Sequence, residues 1–245
     1  MADRPAAVVT GAGQGIGAAI AARFARDGFS VIGLDLDLDR VEKTAATWEG
    51  SGHHAVRGDA ASPDDVGRAC DLADGRLTTF VANAGFAKAG SSTDYPLEDW
   101  DAMLRVHLTG AMVGAQQAAS RMPDGGALVM MSSLNGLFGF PGRTAYGAAK
   151  AGVAGLVRGL ATEWAPQGIR VNAIAPGSVI TELSRDFLRR GVINEQEFLN
   201  RIPMNRFGEP AEIAELAFFL GTPLASYITG VVVPIDGGWS AQGIA

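Results

Sequence analysis

The 245-residue chain carries 20 basic and 26 acidic side chains, which gives a formal net charge of −6, and 47% of its residues are hydrophobic. The hydrophobic fraction excludes a disordered chain, and the acidic balance argues against a nucleic-acid partner, which needs a basic surface. The single cysteine, Cys70, excludes a disulfide within the chain, and the charged start of the sequence is unlike a secretory signal, so we expect a cytoplasmic protein.

Short apolar runs recur along the chain, and most are bounded by glycine, aspartate, asparagine or proline. Runs of this length and composition are typical of strands that are buried on both faces of a parallel sheet. The predicted strands are Ala6–Thr10, Ser30–Asp35, His54–Arg57, Thr78–Ala82, Ala127–Ser132, Val171–Ala175 and Val231–Pro234.

Helical patterns separate these runs. Gly15–Gly28 carries apolar residues at helical spacing, and Ser62-Pro63 and Glu209-Pro210 have the pattern of a helix start. The alternation of strand and helix predicts an α/β fold, a single doubly wound (Rossmann-type) domain over residues 1–245 with a mostly parallel seven-stranded sheet. The ligand crevice of such a sheet lies at the carboxyl ends of its strands.

One stretch, Leu216–Ile235, has no charged residue and is long enough to cross a bilayer. It contains Pro223, Pro234 and several hydroxyl side chains. We therefore expect a helix end, a loop and a strand here, and no membrane partner.

The segment between the first strand and the first helix is rich in glycine: Thr10–Gly17 reads TGAGQGIG. Glycine allows a sharp turn and lets a pyrophosphate approach the backbone at a helix N-terminus. This context favours dinucleotide binding over a tight turn without a ligand. The residues expected to hold the dinucleotide here are Gly11, Gln14, Gly15, Ile16 and Gly17.

Asp35 ends the second predicted strand, where a carboxylate can accept hydrogen bonds from the adenosine ribose and repel a 2′-phosphate. The next basic residue is Arg40, so we expect NAD rather than NADP, although the acidic run also suits a solvated strand end. Asp59, followed by Ala60, is placed to approach the adenine or to cap a turn.

Ser133, Tyr146 and Lys150 form the strongest constellation. Residues four apart share one face of a helix, so Tyr146 and Lys150 can point at the same spot. A cationic amine beside a phenol favours the phenolate and suits Tyr146 to act as a general base. Neither His53 nor His54 has the spacing of a ligand set, so we expect no metal.

Together these motifs resemble the short, single-domain branch of the short-chain dehydrogenase/reductase family. The TGxxxGxG motif of the family lies at Thr10–Gly17 and its YxxxK motif at Tyr146–Lys150, with Ser133 at the expected distance. Asn83-Ala84-Gly85 and Asp236-Gly237-Gly238 resemble two further family signatures. The resemblance covers nearly the whole chain.

The resemblance implies a role for each matched residue. Tyr146 would be the acid/base, Ser133 would orient the substrate oxygen, and Lys150 would hold the nicotinamide ribose and lower the pKa of Tyr146. The cofactor-binding residues that it implies are Asn83, Gly85, Tyr146, Lys150, Pro176, Gly177, Val179 and Thr181. It also implies a homotetramer, assembled through two long helices and the C-terminal strand.

Two positions depart from the family pattern. Ala82 replaces the first asparagine of an NNAG motif. His107 stands where similar members have a helical asparagine that helps hold a water of the proton relay. A histidine with a pKa of about 6.5 can hold water and pass a proton, so we treat His107 as a candidate catalytic residue, with simple packing as the alternative.

The substrate is the least determined part of the sequence. Residues 177–209 form a long polar segment that we expect to be a lid. Its arginines suggest an anionic substrate, but its acids make a balanced surface the favoured interpretation. The residues expected to contact a small alcohol or ketone are Ser133, Asn135, Tyr146, Phe140 and Leu183.

These observations predict an NAD-dependent oxidoreductase of secondary alcohols and ketones. One alternative is a 3-oxoacyl thioester reductase that uses NADPH, since Arg206–Pro210 also occurs in such reductases. Another is a nucleotide-sensing module without turnover, which would not need Ser133, Tyr146 and Lys150 together.

Overall fold

The computed structural model describes residues 4–181 and 195–242. Within these residues seven strands form one sheet in the order β3-β2-β1-β4-β5-β6-β7, and each neighbouring pair is parallel. The predicted doubly wound α/β fold is confirmed. The strands are β1 (Ala6–Thr10), β2 (Ser30–Asp35), β3 (His54–Arg57), β4 (Leu77–Ala82), β5 (Gly126–Met131), β6 (Ile169–Pro176) and β7 (Val232–Ile235).

The strands form where the apolar runs predicted them, to within two residues at each end. The largest difference is at β6, which begins at Ile169 because Ile169 pairs with Gly126 of β5. All five residues of β1 are buried, whereas the edge strand β3 has exposed residues at both ends.

Helices alternate with the strands. Ser62 caps a helix, since its Oγ accepts a hydrogen bond from Asp65 N at 3.3 Å, and Pro63 occupies the first turn. Glu209 and Glu212 form a capping box around Pro210, so both predicted helix starts are confirmed. In the described ranges the helices are α1 (Gly15–Arg26), α2 (Leu38–Ala45), α3 (Pro63–Asp71), α4 (Leu97–Leu104), α5 (Gly110–Ala119), α6 (Thr144–Trp164), α7 (Glu195–Leu199) and α8 (Pro210–Gly221).

Two apolar cores cover the two faces of the sheet. Along β1, Ala6 and Val8 join the core under α3, α5 and α6, whereas Ala7 and Val9 join the core under α1, α2 and α8. Because side chains alternate along a strand, burial on both faces explains why the strands read as continuous apolar runs.

The uncharged stretch Leu216–Ile235 contains the end of α8, a short 3₁₀ turn at Pro223–Ala225 and β7. No helix in residues 4–181 and 195–242 has the length and apolar character needed to cross a bilayer. The interpretation as helix end, loop and strand is therefore confirmed.

The order of the strands determines where a ligand can bind. β1 pairs with β2 on one side and with β4 on the other, so the chain reverses its direction of travel across the sheet at β1. A crevice opens at such a switch point, outside the carboxyl ends of the strands. The loops after β1, β2, β4, β5 and β6 all line the same cleft.

Candidate active site

The glycine-rich turn after β1 needs glycine for two physical reasons. Gly11 and Gly15 have φ values of 67° and 56°, which side-chain-bearing residues rarely adopt. A Cβ on Gly17 would lie 2.0 Å from the carbonyl oxygen of Gly11. The turn therefore exposes backbone at the first turn of α1, where Gln14, Gly15, Ile16 and Gly17 line the cleft.

Thr10 and Asn83 hold this turn against the end of β4. The hydroxyl of Thr10 accepts hydrogen bonds from the backbone N of Asn83 and of Ala84, each at 3.0 Å. In return, Asn83 Nδ2 donates to the carbonyl oxygens of Thr10 and Gly11 at 3.0 and 3.2 Å. The amide nitrogen of Asn83 thus stabilises the cofactor turn, and its expected contact with the cofactor stays a prediction.

Asp35 lies at the carboxyl end of β2, beside the turn. Its Oδ2 accepts a hydrogen bond from Gly13 N at 2.9 Å and its Oδ1 accepts one from Asp37 N at 3.1 Å. Arg40 also lines this end of the cleft, where Nη1 donates to Gln14 Oε1 at 2.9 Å and Nε pairs with Asp37 at 2.9 Å. A cation therefore stands closer to the adenosine end than the sequence suggested.

Asp59 caps a turn at the end of β3, the second of the two roles considered for it. Its carboxylate accepts hydrogen bonds from Ala61 N at 2.8 Å and from Arg105 Nη2 at 2.6 Å. Burial alone would raise the pKa of Asp59, but these two hydrogen bonds outweigh burial and lower the pKa below its ordinary value. Asp59 and Ala60 both line the cleft.

The structure brings Ser133, Tyr146 and Lys150 together at the floor of the cleft. Ser133 follows β5 and hydrogen-bonds Tyr146, which α6 presents from its first turn. Lys150 lies one turn later on α6, with Nζ 5.5 Å from the centre of the Tyr146 ring. Its ammonium donates to the carbonyl oxygen of Met131 at 2.6 Å.

Burial controls the charge of these groups. It raises the pKa of Tyr146, against the opposing effects of the Ser133 hydrogen bond and the positive charge of Arg143. Burial also lowers the pKa of Lys150 to about 7. Lys150 is not among the groups that lower the pKa of Tyr146 here, because its ammonium is directed at Met131, and its expected effect on Tyr146 stays a prediction.

His107 is buried between Phe86 and Tyr146, and its ring meets the Tyr146 ring edge-on at a centroid distance of 5.2 Å. Burial and the nearby charge of Lys150 lower the pKa of His107 to about 3. The expectation of a histidine that titrates near 6.5 is wrong, since the ring is neutral at physiological pH. Its part in a proton relay stays a prediction.

The neutral ring has one free acceptor. His107 Nε2 lies 2.6 Å from the carbonyl oxygen of Phe86 and 3.2 Å from the backbone N of Phe86, and the shorter contact favours the tautomer with the proton on Nε2. Nδ1 is then an acceptor, and it is buried without a hydrogen-bond partner. An atom of this kind can accept a hydrogen bond from a water or from a substrate hydroxyl.

His107 lies in an irregular helical turn that the sequence pattern did not predict. Arg105–Thr109 form a π-helical turn between α4 and α5, and such turns are frequent at functional sites. The imidazole packs so closely on Gly85 that a Cβ there would lie 2.2 Å from His107 Cε1. This contact is the physical reason for glycine at position 85.

The loop after β6 forms the wall on the nicotinamide side. Pro176 ends β6, and a Cβ on Gly177 would lie 2.8 Å from Asp236 Cβ. Val179 forms a β-bridge with Gly208, and the Thr181 methyl comes within 3.6 Å of where a Cβ on Gly15 would be. Leu183 and the lid residues 182–194 lie outside the described residues.

The substrate side of the cleft joins Ser133 to an aromatic wall. Asn135 donates to Ser133 Oγ from its backbone N at 3.1 Å, and its own Oδ1 is buried without a partner. Phe140 stacks on Trp239 at 5.2 Å. Trp239 was not predicted, although it directly follows the Asp236–Gly238 signature.

The arginines of the predicted lid behave differently from one another. Arg206 pairs with Glu212 at 2.7 Å, as a balanced surface requires. Arg201 instead lies over the Trp239 ring, 4.9 Å from its centre, and lines the cleft together with Arg143. The ion pair of Arg206 fits the predicted balanced surface, whereas Arg201 contributes a positive charge to the cleft.

The whole cleft encloses about 1280 Å³, beyond the roughly 300–1,000 Å³ of a pocket for one small ligand. It has room for a dinucleotide and a second molecule. Across residues 4–181 and 195–242, no group of three or more histidine, cysteine, aspartate or glutamate side chains is placed to hold a metal ion.

Comparison with known proteins places these features in context. The model of a family described as enoyl-(acyl carrier protein) reductase matches residues 11–240. A short-chain type dehydrogenase/reductase of Sinorhizobium fredii, y4vI, is 39% identical over 95% of this chain, which spans 43% of that protein. The 3-oxoacyl-[acyl-carrier-protein] reductase FabG of Thermotoga maritima is 36% identical, with 94% of this chain and 96% of that protein covered. The D-threitol dehydrogenase of Mycolicibacterium smegmatis is also 36% identical, with 98% and 94% covered.

Two solved structures have the same fold. A putative short-chain alcohol dehydrogenase from Sinorhizobium meliloti superposes with a TM-score of 0.90 at 36% identity, over 98% of this chain and 97% of that one. A putative 2-deoxy-D-gluconate 3-dehydrogenase from Agrobacterium tumefaciens, with bound NADP, superposes with a TM-score of 0.85 at 34% identity, over 97% of each chain.

Proposed function

Because the chain belongs to the short-chain dehydrogenase/reductase family, an oxidoreductase family that uses nicotinamide cofactors, we propose that it transfers a hydride between NAD(H) and a secondary alcohol or ketone. The observation that carries the proposal is the meeting of Ser133, Tyr146 and Lys150 in one cleft with the glycine turn. A sensor of nucleotides would not need this arrangement.

The residues on the adenosine side fit a dinucleotide. Gly11, Gly15 and Gly17 leave a backbone cradle that side chains would fill. The N-terminus of α1 opens into this cradle and favours a pyrophosphate. The nicotinamide group, when bound, accepts or donates the hydride, and the protein supplies position and electrostatics.

Tyr146 exchanges the proton of the reaction. Oxidation removes a hydride from the carbinol carbon and a proton from its hydroxyl, and the phenolate form of Tyr146 takes this proton and becomes the neutral phenol, while Ser133 holds the same oxygen. Because burial raises the pKa of Tyr146, the phenol is neutral at pH 7 and ready to donate to a ketone oxygen. Lys150 is held beneath it by Met131.

The choice of NAD rests on Asp35, whose carboxylate opposes a 2′-phosphate at the carboxyl end of β2. A second candidate is an NADPH-dependent reductase of 3-oxoacyl thioesters. One observation favours it: Arg40 lies beside Gln14 at the same end of the cleft and would complement a 2′-phosphate. Both FabG and the NADP-bound neighbour are compatible with this alternative.

The first test is an absorbance assay of the reduced nicotinamide, with NAD and NADP each run against polyols, cyclic alcohols, steroids and hydroxyacyl thioesters. Turnover of a secondary alcohol with NAD is expected. Turnover confined to hydroxyacyl thioesters with NADP would favour the second candidate, and no turnover with any member would favour a sensing module.

Tyr146→Phe removes only the hydroxyl that exchanges the proton. We expect the rate to fall by a factor of about 10² to 10⁴, with NAD binding retained in calorimetry. Tyr95→Phe is the matched control, because the Tyr95 hydroxyl donates to the Lys88 carbonyl outside the cleft. Full activity of Tyr146→Phe would refute the assigned role.

Asp35→Asn removes the charge and keeps one oxygen, which can accept one of the two hydrogen bonds that Gly13 N and Asp37 N donate to the carboxylate. We expect the NAD to NADP ratio of kcat/KM to fall by about fivefold, since the repulsion between two unit charges about 4 Å apart in bulk water is about 1 kcal/mol. Asp39→Ala, an exposed acid outside the cleft, is the control and should leave the ratio unchanged. An unchanged ratio in Asp35→Asn would contradict the assignment.

A further inference from the structure

On the basis of the proposed activity, we propose that the substrate is a secondary alcohol or ketone that also carries a carboxylate, and that Arg143 binds this carboxylate beside Tyr146. The apolar body of the substrate then rests on the wall formed by Phe140 and Trp239. This identifies the substrate as a hydroxy acid or oxo acid with an apolar substituent.

Arg143 is half-buried on the wall of the cleft, three residues before Tyr146. Many arginines of this protein pair with a carboxylate, as Arg23, Arg105 and Arg121 do. Arg143 is absent from the ion pairs within residues 4–181 and 195–242. The planar fork of this half-buried guanidinium is suited to a bidentate pair with a carboxylate.

The backbone around Arg143 is held in place before any ligand arrives. Its N donates to Phe140 O at 3.2 Å, and its O accepts from Gly147 N at 2.7 Å within the start of α6. The preceding residue, Gly142, accepts a hydrogen bond from Gly90 N at 3.0 Å. The backbone that carries Arg143 is therefore braced by hydrogen bonds on both sides of this residue.

The two ends of the cleft differ in the sign of their net charge. Its adenosine end carries Asp35, Asp37 and Asp59 with Arg40, whereas its substrate end carries Arg143, Arg201 and Lys150 with Glu197. A cationic end is notable in a chain with a formal net charge of −6. The positive charge of Arg143 reaches the reacting site, because it lowers the pKa of Tyr146 against the effect of burial.

The aromatic wall lies beside these cations. Phe140 stacks on Trp239 with an interplanar angle of 26°, and Phe138 meets Trp239 at 63°. Arg201 covers the Trp239 ring, an arrangement that fixes both groups at the rim of the cleft. A flat apolar group next to a carboxylate matches a flat apolar wall next to a guanidinium.

The test compares two substrates with the same secondary alcohol, 3-hydroxy-3-phenylpropanoate and its methyl ester, in the NAD-linked assay. We expect the wild-type protein to favour the acid in kcat/KM by roughly 10- to 100-fold, the range for a hydrogen-bonded charged group. In Arg143→Met the ratio of acid to ester should collapse towards one, mainly through KM for the acid. Arg158→Met, on the exposed face of the same helix, is the matched control and should keep the ratio.

A binding measurement separates this proposal from the proposed activity. Benzoate and benzamide are titrated by calorimetry into the NAD complex of the wild-type protein and of Arg143→Met. Preference for benzoate in the wild type, lost in the variant, supports the carboxylate site even if neither alcohol is oxidised. Equal binding of the two compounds, or an unchanged preference in Arg143→Met, overturns it and leaves the dehydrogenase activity standing.

Discussion

Burial determines the protonation of the three titratable groups at the floor of the cleft. It raises the pKa of Tyr146, lowers that of Lys150 to about 7 and lowers that of His107 to about 3. The spacing of Tyr146 and Lys150 and the position of Ser133 could be predicted from the sequence, because a helix fixes which residues share a face. The pKa shifts could not, since desolvation depends on what packs around each group.

At the residue scale, His107 makes the protein sensitive to acid. Its pKa is about 3 in the folded state and 6.5 in the unfolded chain, so the unfolded chain binds a proton first as the pH falls. The stability that the neutral ring contributes is fully present above pH 6.5 and is lost as the pH falls towards 3. Each pH unit in this window costs about 1.4 kcal/mol.

His107→Asn tests this linkage. The free energy of unfolding, measured in urea from pH 7 to pH 4, should fall less steeply with pH in the variant than in the wild type. The carboxylates that also titrate in this range are common to both proteins and cancel in the difference. Parallel curves would show that the imidazole is not held neutral.

At the element scale, the strands could be predicted because both of their faces are buried. A strand of this kind is a continuous apolar run, which can be recognised in the sequence without knowing which strands pair with it. The π-helical turn at Arg105–Thr109 was not predictable, since one inserted residue barely changes the apolar pattern of α4 and α5. The contact of His107 with Gly85 joins two segments 22 residues apart and depends on that turn. Local irregularities of this kind must be observed.

The packing of α5 on β4 yields a second element-scale prediction. Gly114 lies over Phe80, and a Cβ at this position would come 2.5 Å from Phe80 Cε1. Gly114→Ala should destabilise the fold by about 1–3 kcal/mol through overpacking, partly offset by up to about 1 kcal/mol of helix propensity. Denaturant unfolding gives this difference directly.

A double-mutant cycle isolates the clash. Phe80→Leu removes the ring atoms that a Cβ would strike, so adding Gly114→Ala in that background should be neutral or stabilising. The two changes should therefore deviate from additivity by at least about 1 kcal/mol. Additive effects would mean that Gly114 is required for a reason other than the Phe80 ring.

At the scale of the whole molecule, the strand order brings together residues that lie far apart in the sequence. The alternation of strands and helices predicted the sheet and the end of the sheet at which the motifs converge. Three different loops supply Arg143, Arg201 and Trp239 to the wall of the cleft. No pattern in the sequence predicts that these residues lie together. The sequence thus predicts the reacting groups, whereas the surface that selects the substrate requires the fold.

The outer face of α6 supports the prediction that the protein is a tetramer. This face presents small residues four apart, Ala151, Gly155 and Gly159, and a Cβ on either glycine would meet only open space. We expect sedimentation to give four times the 25.3 kDa chain mass, with these faces packed against each other between subunits. Gly155→Glu would place carboxylates at that contact and should yield smaller species, because a buried unpaired charge is strongly unfavourable. As a control, Thr47→Glu adds the same charge just after α2 and should leave the mass of the assembly unchanged. If Gly155→Glu remained a tetramer, the interface would lie on another face of the protein.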